Sequence, residues 1–496
     1  MYCVSMKYRK MKKIFTIIIS MFVFLQVVGQ KDIVISGASI MSAAINNEGV
    51  AYVWGANKIN GSTSGLLGIG SSADYETIPQ KVTFFSDRNI LIKQVNCGTG
   101  AHFAALDCNG KVWCWGNNCY GQCGTGTIPN DPNAVQSEPI QVLIGTSELA
   151  GTEYDCDGYL CNVDVVYAGN LNTFALLGGS TYKGCIVAWG GNGKGFDGND
   201  WDAHYGQLGC GDTLNYEYPV FVLDGATNMP LHSVIQMGAG DNCAYALVDA
   251  DGDGLGTVYS WGEQKASGAL GRSKNGGIGT SHEDFYDPYA RPVIMEDGSS
   301  LSNIKLLGYG DGEGYGLDID GYIWSWGNSS WNNAGGIMDA HSGWIGNNSV
   351  PMRVRAGETT GASNDGIYLL AKWVSGGQGF GMAITVDNKP VAWGGGGCNL
   401  GGITGNGTLT GSSEKLQGAQ YIKVTGDIIH DDVVWISRGD TWGFYGRADG
   451  TVYAWGCNDY GQLGIGNTVS QAYATQMNFS DSFRNPAPNE IGRAHV

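Results

Sequence analysis

Residues 448–466 read Ala448-Asp-Gly-Thr-Val-Tyr-Ala-Trp-Gly-Cys-Asn-Asp-Tyr-Gly-Gln-Leu-Gly-Ile-Gly466. An Asp-Gly turn leads into an alternating run that ends at Trp455-Gly456, and a loop with glycine at every second or third position follows. Turn, alternation and glycine loop together predict a β-hairpin strand followed by a tight return of the chain. The same unit recurs at 109–126 and, with an insertion, around Trp189. This repeat decides the fold, whereas a repeated structural unit says little about a ligand.

The dipeptide Trp-Gly recurs seven times, at spacings of 61 to 74 residues. The tryptophans are Trp54, Trp115, Trp189, Trp261, Trp326, Trp393 and Trp455. Apolar residues precede each of them, and several of these runs follow an Asn-Gly, Asp-Gly or Glu-Gly turn, which is a strong hairpin signal. A fixed period of this length indicates a repeat architecture.

Two further strands complete the unit. One lies before the hairpin turn, opens on glycine and ends on an aliphatic residue, as in 98–106 and 240–247. The other follows the glycine loop and often opens on proline, as at Pro139 and Pro219, which is typical of an edge strand because proline lacks an N–H. Each unit therefore contains four short strands.

A four-stranded unit cannot bury both of its faces alone, so neighbouring units must pack around an axis. Seven units predict an all-β fold, a seven-bladed β-propeller of four-stranded blades. The chain begins with a half-unit at 35–45 and ends with a candidate outer strand near 474–477. We therefore expect closure by pairing of N- and C-terminal strands in one sheet. A linear solenoid is the alternative, but it would need polar caps that the sequence does not show.

This succession of motifs resembles the repeat of the regulator of chromosome condensation family, over about residues 33–480. The resemblance implies a propeller scaffold, and the family includes nucleotide-exchange factors for a small GTPase and chromatin binders. The same fold also serves as a secreted bacterial protein inhibitor. The family's histidine after the strand-opening glycine is kept at His102. The matching positions are expected to be Met41, Thr173, Cys243, Glu313, Phe380 and Trp442, so no ring of histidines is expected.

Composition limits the possible partners. Glycine makes up 81 of 496 residues, about twice the usual ~7% share, and it recurs at fixed places in the unit, which indicates turns and not disorder. The formal net charge is −18. No basic cluster follows the first residues, so a nucleic-acid partner is not expected, because phosphate neutralisation needs clustered Lys and Arg.

The N-terminus predicts export. Basic residues at 7–13 precede an apolar run at 14–28, and small and polar residues follow. This pattern is typical of a secretory signal peptide over 1–30, and the apolar run is shorter than the ~20 residues of a membrane anchor, which is the alternative. We expect a secreted or cell-surface protein whose propeller covers 31–482 and is monomeric. Residues 483–496 are interpreted as a non-native or truncated tail, and no transmembrane segment is expected after the signal peptide.

Cysteines should pair in part in an exported protein. Cys156 and Cys161 lie five residues apart in a polar loop and are the best candidates for a disulfide. Five other cysteines crowd the second unit, where pairing is plausible but its connectivity cannot be read. Zinc is the rival explanation, but the paired spacing of zinc ligands is missing.

A candidate cation site lies in the hairpin before the fourth Trp-Gly, at Asp249, Asp251 and Asp253. Alternating carboxylates followed by glycine match the first half of a calcium loop. Ser260 stands where an EF-hand has its bidentate glutamate, so a solvated acidic turn is the alternative. No other cofactor is expected.

The second candidate site is a set of long insertions after Trp-Gly in units three to five. Their aromatic residues stand among Gly, Asn and Asp, and they would all emerge on one face of the propeller: Trp201, Tyr205, Phe285, Tyr286, Trp331 and Trp344. Aromatic side chains on such a face could bind an extracellular protein or a glycan. The alternative is that they pack over the blades as small satellite cores.

Catalytic motifs are largely missing from the sequence. It contains no Gly-x-Ser-x-Gly, His-Glu-x-x-His or phosphate loop. The acidic pairs Asp311/Glu313 and Asp318/Asp320 are the groups that could mimic glycosidase carboxylates. We therefore expect a non-enzymatic, exported binding scaffold. The alternatives are a polysaccharide-active enzyme that uses acidic loops, and an adhesin or sensor module of a longer surface protein.

Overall fold

The computed structural model gives the fold of most of the chain. The residues that it describes are 34–38, 40–59, 63–129, 131–193, 206–264, 268–272, 286–327, 348–357, 367–394, 404–407, 416–477 and 479. The signal peptide expected over 1–30 and the tail at 483–496 lie outside these residues.

Seven antiparallel sheets, each made of four strands that we label A to D in chain order, form the blades of a propeller. Strands A to D are Val34–Ala38, Met41–Ile45, Ala51–Ala56 and Tyr75–Lys81 in blade 1, and Ile92–Cys97, His102–Asp107, Val112–Asn117 and Val135–Gln141 in blade 2. They are Val163–Ala168, Asn172–Leu177, Ile186–Gly190 and Tyr216–Phe221 in blade 3, and Val234–Ala239, Cys243–Val248, Thr257–Glu263 and Tyr286–Pro292 in blade 4. Strands A to D are Ile304–Tyr309, Glu313–Asp318, Ile323–Gly327 and Asn348–Arg353 in blade 5. They are Ala371–Gly377, Phe380–Thr385, Pro390–Gly394 and Leu416–Tyr421 in blade 6, and Val433–Arg438, Trp442–Arg447, Val452–Gly456 and Gln471–Gln476 in blade 7.

Small elements decorate this frame. The two-residue strands Lys58–Ile59 and Thr63–Ser64 pair with each other, and Asp155–Cys156 pairs with Tyr159–Leu160. A four-residue helix, Thr83–Ser86, follows blade 1.

The A strands surround the axis, and each contacts the A strands of its two neighbours. Amide side chains fasten some of these contacts. Gln94 of blade 2 donates to the carbonyl of Val166 at 2.8 Å and accepts from its N–H at 2.9 Å. Gln236 of blade 4 holds Leu307 of blade 5 in the same way. These bonds satisfy inner-strand backbone groups that have no ladder partner on the axial side.

The up-and-down order of the strands gives the propeller two distinct faces. The A–B turns and the C–D connections emerge on one face, which we call the insertion face because the long insertions of units three to five are C–D connections. The B–C turns and the D–A connections emerge on the other face, which we call the hairpin face. The acidic segment 249–254 is a B–C turn, so the two candidate sites lie on opposite faces of the molecule.

The repeated Trp-Gly and glycine loop form a lock between neighbouring blades. Trp189 of blade 3 is fully buried and donates from Nε1 to the carbonyl of Gln122 in the C–D connection of blade 2, at 3.0 Å. A side chain on Gly124 of that connection would lie 2.7 Å from Val142 and 3.1 Å from the indole, so this position requires glycine. The same indole bond to the preceding connection is made by Trp115, Trp261 and Trp326.

The ring closes differently from the sequence-based expectation, in which one sheet was to be shared by the two termini. That expectation is wrong, because blades 1 and 7 each contain four strands of their own. The lock closes the ring instead. Trp54 of blade 1 donates to the carbonyl of Gln462 of blade 7 at 2.8 Å, and Ser42 donates to the same carbonyl at 2.9 Å. Near the axis, the Ser437 hydroxyl donates to the carbonyl of Ile35 at 2.5 Å.

The position predicted for proline also needs correction. The D strands are edge strands, as expected, but their prolines do not open them. In blade 3 the pairing shifts between Ala188–Val220 and Gly190–Tyr216, so Pro219 falls in the irregular stretch where its missing N–H breaks no ladder bond. Pro79, Pro139 and Pro351 occupy the same place in their strands.

Candidate functional sites

The two ends of the blade 3 insertion are held together by hydrogen bonds to Asn192. The insertion's aromatic residues Trp201 and Tyr205 lie outside the described residues. On either side of it, the N–H of Gly206 donates to the carbonyl of Asn192 at 2.9 Å, and the N–H of Leu208 donates to the Asn192 Oδ1 at 2.9 Å. The chain therefore leaves and returns at the same point of the insertion face.

Asn192 belongs to a set that the sequence-based reasoning missed. Among the described residues, buried asparagines start the C–D connection in four blades, and each accepts N–H groups of the glycine loop: Asn57, Asn118, Asn192 and Asn458. Because these bonds hold the loop, the lock tolerates an insertion between the asparagine and the glycines. The signal is present in the sequence, since each of these asparagines ends a Trp-Gly-x-Asn motif.

The other predicted aromatic residues of the insertion face belong to blades 4 and 5. Phe285, Trp331 and Trp344 lie outside the described residues. Tyr286 is the first residue of strand D in blade 4, is half-buried and pairs with Glu263. The insertions of blades 4 and 5 also join a C strand to a D strand, so all three insertions start and end on this face.

The acidic hairpin brings its three carboxylates together. Oxygen atoms of Asp249, Asp251 and Asp253 lie within 4.8 Å of one another, and Asp251 and Asp253 are exposed. The Asp249 carboxylate accepts N–H groups of Gly252 at 2.7 Å and of Gly254 at 2.9 Å. These bonds stabilise the turn without an ion, as the acidic-turn alternative requires. Calcium binding here stays a prediction.

The disulfide between Cys156 and Cys161 is present, as predicted, with Cα atoms 5.9 Å apart. Cys457 is also disulfide-bonded. The five cysteines of the second unit are all free thiols: Cys97, Cys108, Cys114, Cys119 and Cys123. Burial raises the pKa of Cys97 and Cys114, which makes these thiols poor nucleophiles and poor metal ligands.

The A–B turns meet around the axis on the insertion face. We call this region the axial mouth; it consists of the turns 98–101, 169–171, 240–242, 310–312, 378–379 and 439–441 of blades 2 to 7, together with the first residue of each B strand. The turns touch one another, and the N–H of Asp241 donates to the carbonyl of Asp311 at 2.7 Å. His102 is fully buried here, with Nε2 2.9 Å from the Thr173 hydroxyl. Burial lowers the pKa of His102 to about 3, so this ring is neutral at physiological pH.

One position assigned from the sequence is wrong. His102 pairs with the glycine of Trp-Gly, and the residue that does so in blade 3 is Asn172, not Thr173. Counting back from Leu177 displaced the alignment by one residue, because two leucines end that strand. Thr173 instead accompanies His102 as its hydrogen-bond neighbour.

The two acidic pairs lie at opposite ends of one strand. Glu313 begins strand B of blade 5 at the axial mouth, and Asp318 ends it on the hairpin face, about 16 Å away at ~3.3 Å per residue. Asp318 accepts the N–H of Tyr322 at 2.8 Å and the indole N–H of Trp324 at 3.0 Å, so it supports the hairpin. The pairs cannot act together on one glycosidic bond.

Across the residues with described positions, none of the helices has the length and apolar character needed to cross a membrane.

This chain is similar in sequence to a known family of repeats and to several known proteins. Family models described as "Regulator of chromosome condensation (RCC1) repeat" match residues 109–149, 449–486 and 92–122. The human E3 ubiquitin-protein ligase HERC2 is 25% identical over 395 residues, which are 79% of this chain and 6% of HERC2. The ultraviolet-B receptor UVR8 of Arabidopsis thaliana is 24% identical over 447 residues, 90% of this chain and 81% of the receptor.

Solved structures share the architecture. Prp20p from Saccharomyces cerevisiae superposes with a TM-score of 0.62 at 17% identity, covering 92% of this chain and 90% of Prp20p. At this identity the likeness concerns the fold. For Prp20p, binding to Gsp1p and histones has been described together with its structure. The chain spans only a small part of HERC2 and most of UVR8.

Proposed function

Because this chain is a seven-bladed propeller of regulator of chromosome condensation repeats, we propose that it is an exported scaffold that binds a protein through the insertion face. The observation that carries the proposal is the placement of long C–D connections, of 20 to 25 residues, in the adjacent blades 3 to 6, all starting and ending on that face; those of blades 3 to 5 are the predicted insertions. The ends of these connections lie in neighbouring blades on one face, and the aromatic residues of their sequences are of the kind that anchor protein interfaces.

The root of the blade 3 insertion supports the proposal. Asn192 and Gly206 close the lock with the same bonds that Asn458 and Gly461 make in blade 7, where no insertion is present. The inserted residues are therefore not needed to complete the lock. A segment that the scaffold does not need is free to serve recognition, as loops on rigid frames commonly do.

A protein partner agrees with the roles of the relatives. Prp20p has binding properties toward Gsp1p and histones, and UVR8 is a receptor. HERC2 is an E3 ligase, but the matched region is 6% of it, so its enzymatic activity is not carried over. The net charge of −18 argues against a nucleic-acid partner here.

Export is part of the proposal. It is supported by the basic and apolar pattern of residues 1–30 and by the disulfide between Cys156 and Cys161, since disulfides persist mainly in oxidising compartments. N-terminal sequencing of the mature protein from the producing cells tests it. A start near residue 31 in an extracytoplasmic fraction is expected, and an intact N-terminus in the cytoplasm would contradict export.

The binding experiment uses the purified chain as bait for proteins of its native surroundings, with captured proteins identified by mass spectrometry. The triple variant Trp201→Ala, Trp331→Ala, Trp344→Ala should reduce capture of the main partner at least tenfold without changing the thermal midpoint. Met229→Ala, on the exposed hairpin face, is the matched control and should capture normally.

The competing interpretations give different results. If the triple variant loses stability and keeps binding, the aromatic residues form satellite cores and the proposal fails. If a glycan array shows binding while no protein is captured, the face recognises a glycan. Turnover of such a glycan would favour the polysaccharide-active enzyme.

A further inference from the structure

Four carboxylates gather at one side of the axial mouth. They come from blades 4, 5 and 7 and are Asp241, Asp311, Glu313 and Asp440. Their charges act on one another: burial and the neighbouring carboxylates raise the pKa of Asp311 well above its usual range, while the Arg438 guanidinium acts in the opposite direction. The group carries more negative than positive formal charge.

Arg438 reaches across the axis into this group. It ends strand A of blade 7, and its Nη2 donates to the carbonyl of Ala239 in blade 4 at 3.2 Å. Its guanidinium lies over the Tyr309 ring of blade 5, 4.6 Å from the centroid. The arginine thus ties blade 7 to the opposite side of the ring, and its position is set by a carbonyl and an aromatic ring.

The ion pair of Arg438 is incomplete. Its Nη1 lies 3.7 Å from Asp311 Oδ1, which is longer than an N–H···O hydrogen bond, and the two side chains are each 12% exposed. Neither atom has a hydrogen-bond partner among the described residues. Buried polar atoms without such partners are costly: Arg438 Nη1 lacks an acceptor, and Asp311 Oδ1 lacks a donor.

The Asn242 amide gives an independent sign of a missing donor. The residue is 6% exposed, and its Nδ2 donates to Asp241 Oδ2 at 3.4 Å, which places the amide beside the carboxylate group. Its Oδ1 is buried and lacks a hydrogen-bond partner within the described parts of the chain. An amide oxygen and a carboxylate oxygen are both acceptors, so Asn242 and Asp311 each lack a donor.

The shape of the group favours an organic cation over a metal ion. A small metal ion needs its oxygen ligands within about 2.5 Å of itself, and so within about 5 Å of one another. Within the described residues, the hairpin of Asp249 is the acidic group that satisfies this closeness, and the carboxylates of the axial mouth do not. A planar guanidinium or an ammonium group with several N–H donors spans wider spacings.

We propose that the axial mouth between blades 4, 5 and 7 binds one guanidinium or ammonium group, which completes the hydrogen bonding of Asp311 and Asn242. The group belongs either to a small molecule or to a basic side chain of a partner. The proposal is independent of the aromatic insertions, since the protein could bind a partner through them with this site unused.

Isothermal titration with arginine amide tests the proposal. Citrulline amide, which replaces the guanidinium by a neutral urea group, is the matched control ligand, and both amides are used with an acetylated α-amino group so that the guanidinium is the only cation that differs between them. We expect saturable binding of one arginine amide per chain, and at least tenfold weaker binding of citrulline amide. The same titration with the peptide Gly-Ser-Arg-Ser-Gly distinguishes the sources, because a peptide that binds more tightly than arginine amide indicates a partner's side chain.

Variants separate this site from the general attraction of an acidic protein for cations. Asp311→Asn should weaken arginine amide binding at least tenfold, whereas Asp320→Asn, an equal change of charge at an exposed position of the hairpin face, should stay within twofold of the unchanged protein. If Asp311→Asn fails to fold by circular dichroism, Glu313→Gln replaces it and should weaken binding likewise. Equal binding of the two amides, equal weakening by Asp311→Asn and Asp320→Asn, or no binding would each overturn the proposal.

Discussion

The lock between blades and the axial mouth are both built once per blade, but they differ in how well their chemistry is repeated. Every Trp of the Trp-Gly dipeptides is fully buried and occupies the same place in its blade. The first residues of the B strands, by contrast, differ in size and charge: Met41, His102, Asn172, Cys243, Glu313, Phe380 and Trp442. The residue type is therefore the same in every blade where neighbouring blades pack together, and it varies where the A–B turns meet at the axis.

The difference has a packing cause. In the lock, the indole both fills the space between two blades and donates to one carbonyl, and a smaller or wholly apolar side chain would lose one of the two. At the axial mouth, each residue faces the turns of neighbouring blades, so its requirements change with them. His102 meets the Thr173 hydroxyl of blade 3, whereas Glu313 accepts a backbone hydrogen bond from Gly379 of blade 6 besides the N–H of Gly312 in its own turn. Specific chemistry is therefore expected at the mouth and not in the lock.

The largest effect is expected from breaking the lock where it closes the ring. Trp54→Ala removes a fully buried indole and its bond to the Gln462 carbonyl, so the free energy of unfolding should fall by about 3–5 kcal/mol. Chemical denaturation measures it. Tyr460→Ala, a change to a 43% exposed ring in the same blade 7 connection, should cost about 0.5 kcal/mol or less. Equal losses in the two variants would mean that the lock does not carry ring closure.

A second prediction concerns the neutral side of the axial mouth. The pKa of His102 is lowered to about 3 by burial, from an ordinary value of 6.5. Below pH 6.5 the unfolded chain therefore takes up a proton that the folded chain does not, so stability is lost as pH falls. Between pH 6.5 and pH 4 this loss is on the order of 3 kcal/mol. Urea denaturation of His102→Gln should show a smaller loss than the unchanged protein over this range; parallel curves would contradict the prediction.

The acidic side should respond to pH in the opposite direction. Burial raises the pKa of Glu313 to about 7, with Arg438 lowering it and Asp241 raising it further. The folded chain then holds a proton that the unfolded chain releases near pH 4.5, so stability contributed by this group is lost as pH rises from 4.5 to 7. The loss is roughly 2–3 kcal/mol. Glu313→Gln should therefore gain stability relative to the unchanged protein as pH rises, by urea denaturation, and a constant difference between the two would count against it.

The contrast between lock and mouth also explains what could be predicted from the sequence. The blades, their number and their hairpins follow from Trp-Gly and the Asp-Gly or Asn-Gly turns, because these signals are local and repeated. The closure could not be predicted in the same way. The sequence at 35–45 resembles half of a unit and does not indicate that a complete A strand, Val34–Ala38, precedes the B strand. The pairing of this A strand with Met41–Ile45 is what gives blade 1 four strands of its own.

The candidate sites were predicted unevenly for similar reasons. Cys156 and Cys161 were found because they are close in sequence, and so were the carboxylates of the hairpin. The group around Arg438 could not be found, because its members come from blades 4, 5 and 7 and meet only across the axis. The Thr173 assignment failed by one residue, which in a strand turns a side chain to the other face.

The smallest effect is expected on the hairpin face, from calcium at the B–C turn of blade 4. Among the described turns, this one alone brings three carboxylates together, so it asks whether variable turn chemistry also provides a binding site on this face. If this turn holds calcium with the millimolar affinity of extracellular sites, 5 mM calcium should stabilise the protein by about 1 kcal/mol and raise the thermal midpoint by roughly 1–2 °C. Asp251→Asn should abolish the rise, whereas Asp449→Asn, in the B–C turn of blade 7, should keep it. Identical thermal midpoints in calcium and in chelator would instead mean that the hydrogen bonds from the N–H groups of Gly252 and Gly254 stabilise this turn by themselves. The turn of blade 4 would then differ from the other B–C turns in its charge alone and would bind no calcium.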